Sequence, residues 1–106
     1  MQTITMLAGD AFGLPIEISL DGRVATDKDV ENVEVFIGNV GKTMSAREVY
    51  YDAESEAFIV PLSQDDTYRL RGKNTVQVRV KFANDEVLGE EAGMLVIGGS
   101  LSKAVL

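Results

Sequence analysis

The chain has no cysteine, no histidine and no tryptophan in its 106 residues. Without cysteine there are no disulfides, no thiolate nucleophile and no Cys-based zinc site. That absence suits a cytosolic product and equally a particle assembled in the cytosol and later released. Without histidine, the commonest general base, the commonest metal ligand and the usual near-neutral pH switch are all missing. Basic residues are scarce as well: ten Lys and Arg stand against seventeen Asp and Glu, a net charge of −7. Nucleic-acid binding draws much of its affinity from neutralised phosphates, so no nucleic-acid partner is expected of an acidic chain without a basic stripe. The longest basic cluster, Arg69, Arg71 and Lys73, reads as a solvated turn balancing Asp65 and Asp66. No run of about 18 apolar residues occurs, and residues 1–10 lack the basic start and apolar middle of a signal peptide. No membrane partner is expected.

What is present is ordinary for a folded protein: 45% hydrophobic and 25% charged residues. Residues 1–106 are read as a single domain with one core. Period-two alternation dominates. Val76, Val78, Val80 and Phe82 alternate with Gln77, Arg79 and Lys81, which puts four apolar side chains on one face of a strand and three polar ones on the other. Phe58, Val60 and Leu62 alternate in the same way, as do Ile16, Ile18 and Leu20, and Val33, Val35 and Ile37. Ile4 and Met6 mark a weaker N-terminal strand, and residues 47–51 another. The apolar run at residues 94–97 predicts a strand buried on both faces.

Turn residues separate these runs at the spacing of an all-β domain. Asp21-Gly22 and Asn84-Asp85 are two-residue hairpin candidates, because Asn, Asp and Gly tolerate positive φ. Residues 52–55 and 38–41 read as further loops. Ser63, with Asp66 three positions on, is a capping box that predicts one short helical turn near residues 63–68. Its place, between the strand ending at Leu62 and the strand containing Val76, suits the corner of an immunoglobulin-like sandwich, with Tyr68 as the corner tyrosine. The expected fold is therefore all-β: an immunoglobulin-like antiparallel β-sandwich of about seven or eight strands. Residues 101–106 follow Gly98-Gly99-Ser100 and read as a final edge strand or as an arm that pairs with another chain.

The candidate sites for chemistry are weak. Gly38-Asn39-Val40-Gly41-Lys42-Thr43 ends like a phosphate-binding loop, but the glycine required five positions before Gly41 is Phe36. No helix follows, so a hairpin is the better reading. Asp27, Asp29 and Glu31 alternate like calcium ligands, yet the Gly and Glu of an EF-hand loop are missing and a solvated acidic loop is expected. Glu90-Glu91 is read as solvated too. A Ser-Lys dyad from Ser100 or Ser102 with Lys103 needs a buried lysine, which a terminal segment does not provide. Paired catalytic carboxylates need a cleft that raises one pKa, and a sandwich this small rarely has room for one. No catalytic residue, cofactor or metal is assigned, and the protein is read as a non-enzyme.

The segment Phe58-Ile59-Val60-Pro61-Leu62-Ser63-Gln64-Asp65-Asp66-Thr67, followed by Leu70, Gly72, Val76-Gln77-Val78-Arg79-Val80, a turn and Val87, resembles the N-terminal domain of phage baseplate upper proteins. The resemblance is best over residues 56–90 and extends loosely to the closing Leu101-Ser102-Lys103-Ala104-Val105-Leu106. It departs from the family in having Ser63 where Thr is commoner and in lacking a long fibre-like continuation. It implies a structural or attachment module of a phage or prophage tail, found in the virion or in host cytoplasm before assembly, whose partners are other tail or baseplate proteins. A homo-oligomer is also open. Edge-strand pairing and a modest apolar patch would supply the contacts, with Ile4, Met6, Leu101, Val105 and Leu106 as candidates. The alternative is a surface carbohydrate-binding module of the adhesin type, for which Tyr50 and Tyr51 are the candidates, one ring facing in and one out.

Overall fold

The computed structural model describes residues 2–99. In chain order it contains β1 (Gln2–Leu7), β2 (Phe12–Ile16), β3 (Ser19–Leu20), β4 (Arg23–Val24), β5 (Val30–Ile37) and β6 (Val40–Thr43). There follow β7 (Tyr50–Asp52), β8 (Ala57–Leu62), α1 (Gln64–Arg69), β9 (Gly72–Phe82) and β10 (Val87–Gly98). A five-stranded sheet runs in the order β1-β10-β9-β5-β6, and a three-stranded sheet in the order β2-β8-β7. β3 and β4 form a separate two-residue ribbon, leaving eight strands in the two layers.

The alternating residues decide how the layers face each other. Val76, Val78, Val80 and Phe82 on β9, and Val33, Val35 and Ile37 on β5, turn inward and are buried. Leu14 and Ile16 on β2 and Phe58, Val60 and Leu62 on β8 meet them from the other sheet in one continuous core. Burying these apolar side chains stabilises each by roughly 1.5–3 kcal/mol relative to exposure, the main driving force for closing the sandwich.

The all-β sandwich is as expected, with β2, β8 and β7 in one sheet and β5, β6, β9 and β10 with β1 in the other. One pairing departs from the expected antiparallel scheme: β1 lies parallel to β10, from Gln2 against Gly93 to Leu7 against Gly98. The sheet is therefore mixed. The run at residues 94–97 is also not buried on both faces; Leu95 and Ile97 are buried whereas Met94 and Val96 are half-exposed. The second sheet covers only one side of β10, so even an unbroken apolar run alternates.

The turns refine several boundaries. Asp21 and Gly22 both have positive φ, 52° and 80°, as a type I′ hairpin requires. The Asn84-Asp85 turn is longer than two residues: Asp85 N–H donates to the Phe82 carbonyl, Phe82 N–H to the Glu86 carbonyl, and Asp85 has φ 74°. The loop over residues 38–41 narrows to Gly38-Asn39, because Val40 already pairs with Ile37. The strand expected at residues 47–51 begins only at Tyr50; Arg47 has φ 63° and its N–H closes a turn on the Met44 carbonyl.

Candidate docking surface

α1 forms where the capping box predicts it. Ser63 Oγ accepts from Asp66 N–H at 3.1 Å and Ser63 N–H donates to Asp66 Oδ2 at 2.9 Å. Thr67 is buried and ties the helix to the β1–β2 connection: Gly9 N–H donates to its Oγ1 at 2.9 Å, and that hydroxyl donates to the Asp10 carbonyl at 2.7 Å. Tyr68 lies over the same connection, and a Cβ added at Gly9 would sit 2.5 Å from its Oη. Gly9, at φ 91°, is one place where only glycine fits.

The lysine of the loop-like motif belongs to this corner. Lys42 lies on β6 opposite Val35, and its Nζ is 2.9 Å from Asp66 Oδ2. Arg69 Nη2 approaches the other oxygen at 2.9 Å. Burial pushes the Asp66 carboxyl up, but hydrogen bonds from Ser63 and the Lys42 ammonium outweigh it and hold the pKa below the ordinary value. Lys42 thus neutralises a buried carboxylate on a β-hairpin rather than facing a phosphate.

The acidic motif is more engaged than a solvated loop. Asp29 takes a bidentate pair of hydrogen bonds from Arg23, at 2.8 and 2.9 Å, and one from the Thr26 N–H at 2.9 Å. The Arg23 hydrogen bonds, then that from Thr26, hold its carboxyl well below the usual carboxylate range. Glu31 lies 3.5 Å from Lys81, while Asp27 is exposed. Among the described residues, no three His, Cys, Asp or Glu side chains group closely enough to hold a metal ion.

The predicted contact residues separate. Met6 is buried and Ile4 half-buried, both packed on the core. β1 turns Thr3, Thr5 and Leu7 outward, Leu7 at 52% exposure, and its outer backbone edge pairs with no strand among the described residues. Tyr51 is half-buried with its ring 5.1 Å from that of Phe58, while Tyr50 is 53% exposed. One ring faces in and one out, as alternation requires. Leu101, Val105 and Leu106 lie outside the described residues, as do Ser100, Ser102 and Lys103.

The chain matches no family model, no curated protein and no solved structure.

Two exposed features escape the pattern of alternation. On the outer face of the five-stranded sheet, Phe36 stands 44% exposed in a shallow depression of about 630 Å³ with Glu34, Gln77, Arg79 and Glu91. At the start of β10, Val87 on the outer face and Leu88 on the inner face are 53% and 57% exposed. The only sequence sign of the second is Val87-Leu88 standing directly before Gly89-Glu90-Glu91, an apolar pair too short to show a period.

Proposed function

We propose that this protein is a non-enzymatic attachment module that works by docking to other proteins, in the setting its resemblance implies: the tail or baseplate of a phage or prophage. The observation that carries the reading is the amount of apolar surface and unpaired strand edge left around a closed core. Among the described residues, Leu7 is exposed on the edge strand β1, and Val87 and Leu88 on the stretch of β10 that β1 does not reach. Proteins generally blunt or cover such edges, and an open one is a template for pairing with another chain. The polar residues that first suggest chemistry, Lys42 and Asp29, are spent on pairing with Asp66 and Arg23. Light scattering of the purified protein, alone and mixed with proteins encoded beside it, tests this. A stable stoichiometric complex is expected; a strict monomer in every mixture would overturn it.

A second reading rests on Phe36. An exposed ring beside Gln77, Arg79 and Glu34 is the kind of surface on which a sugar stacks while polar groups hold its hydroxyls. Specific signals on a glycan array that vanish in Phe36→Ala would move the function to carbohydrate binding.

A further inference from the structure

β10 is covered unequally along its length. β9 pairs with it from Val87 to Ile97, but β1 covers the other side only from Gly93 to Gly98. Residues 87–91 therefore have one neighbour, and no strand among the described residues lies on their free side. The phase of the ladder follows from Phe82 N–H donating to the Glu86 carbonyl at 2.8 Å. Two residues on, the backbone groups of Leu88 and Glu90 turn to β9, and those of Val87, Gly89 and Glu91 turn out to the free side. The bulge between Glu91 and Gly93 ends the stretch.

Side chains give this edge a code. Leu88 pairs with Val80 and Glu90 with Val78, so both lie on the inner face; Val87 and Glu91 lie on the outer face with Lys81 and Gln77. Beneath Leu88 is a groove of about 220 Å³ floored by Ile18, Val80 and Phe82. On the inner face Glu90 follows Leu88 directly, and on the outer face Gly89 separates Val87 from Glu91. Neither Glu90 nor Glu91 has an ion-pair partner among the described residues. A second copy of this chain would bring its own Glu90 and Glu91 to the same edge, and each copy carries a charge of −7.

We infer that residues 87–91 accept a strand from a cationic partner protein, an extended segment with two basic residues opposite Glu90 and Glu91 and two apolar residues opposite Val87 and Leu88. The inference rests on the docking reading and names its edge and partner chemistry. Backbone hydrogen bonds would supply affinity, the groove would take the side chain beside Leu88, and the paired charges would set register and exclude self-pairing.

The test uses a capped synthetic peptide containing Lys-Lys-Thr-Val-Leu, which presents this pattern antiparallel to β10, titrated into the whole ¹⁵N-labelled protein. Amide shifts confined to residues 87–91 and the groove are expected. Glu90→Lys/Glu91→Lys should weaken binding at least tenfold, as should replacing the peptide lysines by glutamates, and Gly89→Pro, which removes an outward N–H, should abolish it. Urea melts check that both variants remain folded. Absence of shifts at millimolar peptide, equal binding by the Glu-Glu peptide, or binding unaffected by the edge variants would overturn the inference. Concentration-dependent shifts at residues 87–91 without peptide would overturn it in favour of a second copy. A stoichiometric complex with a neighbouring-encoded protein that survives both variants would sink this edge while leaving the docking function standing.

Discussion

Asp66 has a buried carboxylate on which three groups converge. Ser63 holds it as the capping box, Lys42 reaches it from β6, and Arg69 reaches it from the end of α1. The three are not equal. Arg69 is mostly exposed, and such a pair contributes little; Lys42 is largely buried, so losing its partner leaves a poorly solvated charge. Asp66→Ala should therefore destabilise the fold by about 3 kcal/mol, measured by urea unfolding at pH 7. Lys42→Met should cost less, because Asp66 keeps its Ser63 and Arg69 partners. Protonation gives an independent readout. The folded pKa of Asp66 lies below its unfolded value of about 3.9, so its stabilisation is complete above that value and fades as pH falls through the folded pKa. The stability gap between the wild-type protein and Asp66→Ala should narrow from pH 5 to pH 2. A gap constant over that range would show that the charge on Asp66 contributes nothing. Asp29, held low by Arg23, stays ionised in the folded protein while the unfolded chain takes up its proton in this acid window, which leaves a residual slope in both proteins.

At the scale of elements, legibility followed burial. β5, β8 and β9 could be read from alternation because one face of each meets the core, and burial forces every second residue to be apolar. The capping box of α1 and the Asp21-Gly22 turn were readable for a different reason: their chemistry is local. β6 and the first half of β10 were not. Gly41 and Lys42 break the apolar pattern of β6, and residues 87–91 are exposed, with no sheet among the described residues covering them to impose one. The Lys42–Asp66 pair was invisible because its partners are 24 positions apart, and no short-range spacing encodes that contact. Where burial does write the pattern, breaking it should be decisive. Val78 is 3% exposed and pairs with Val35, which is fully buried, at the centre of the five-stranded sheet. Val78→Asp places an unpaired charge there and should prevent folding, seen as loss of the β circular dichroism signal and of a cooperative melt. Gln77→Lys, which places a charge one residue away on the outer face opposite Glu91, should melt within about 0.5 kcal/mol of wild type. A cooperatively folded Val78→Asp protein would overturn the facing of β9.

For the whole molecule, the parallel β1–β10 pair has the greatest consequence. It joins Gln2 to Gly93 and Leu7 to Gly98, so closing it brings together segments some 91 residues apart. The other ladders need far less: β5 with β6 and β9 with β10 are hairpins, and β2 with β8 spans under half the chain. Loop-closure entropy delays long-range pairing until the contacts between can offset it. The β5, β8 and β9 core should therefore form first, with β1 docking onto a sandwich already built. Met6 reports on that step, since it is buried in the core but belongs to β1. Met6→Ala should destabilise the protein by about 2–3 kcal/mol, within the range for truncating a buried methionine. In stopped-flow urea chevrons, nearly all of that change should appear as faster unfolding, with the folding arm almost unmoved. Val35→Ala, at the centre of the early core, should slow folding instead. If Met6→Ala slowed folding as much as Val35→Ala, β1 would be part of the nucleus and the two chain ends would meet before the sandwich closes.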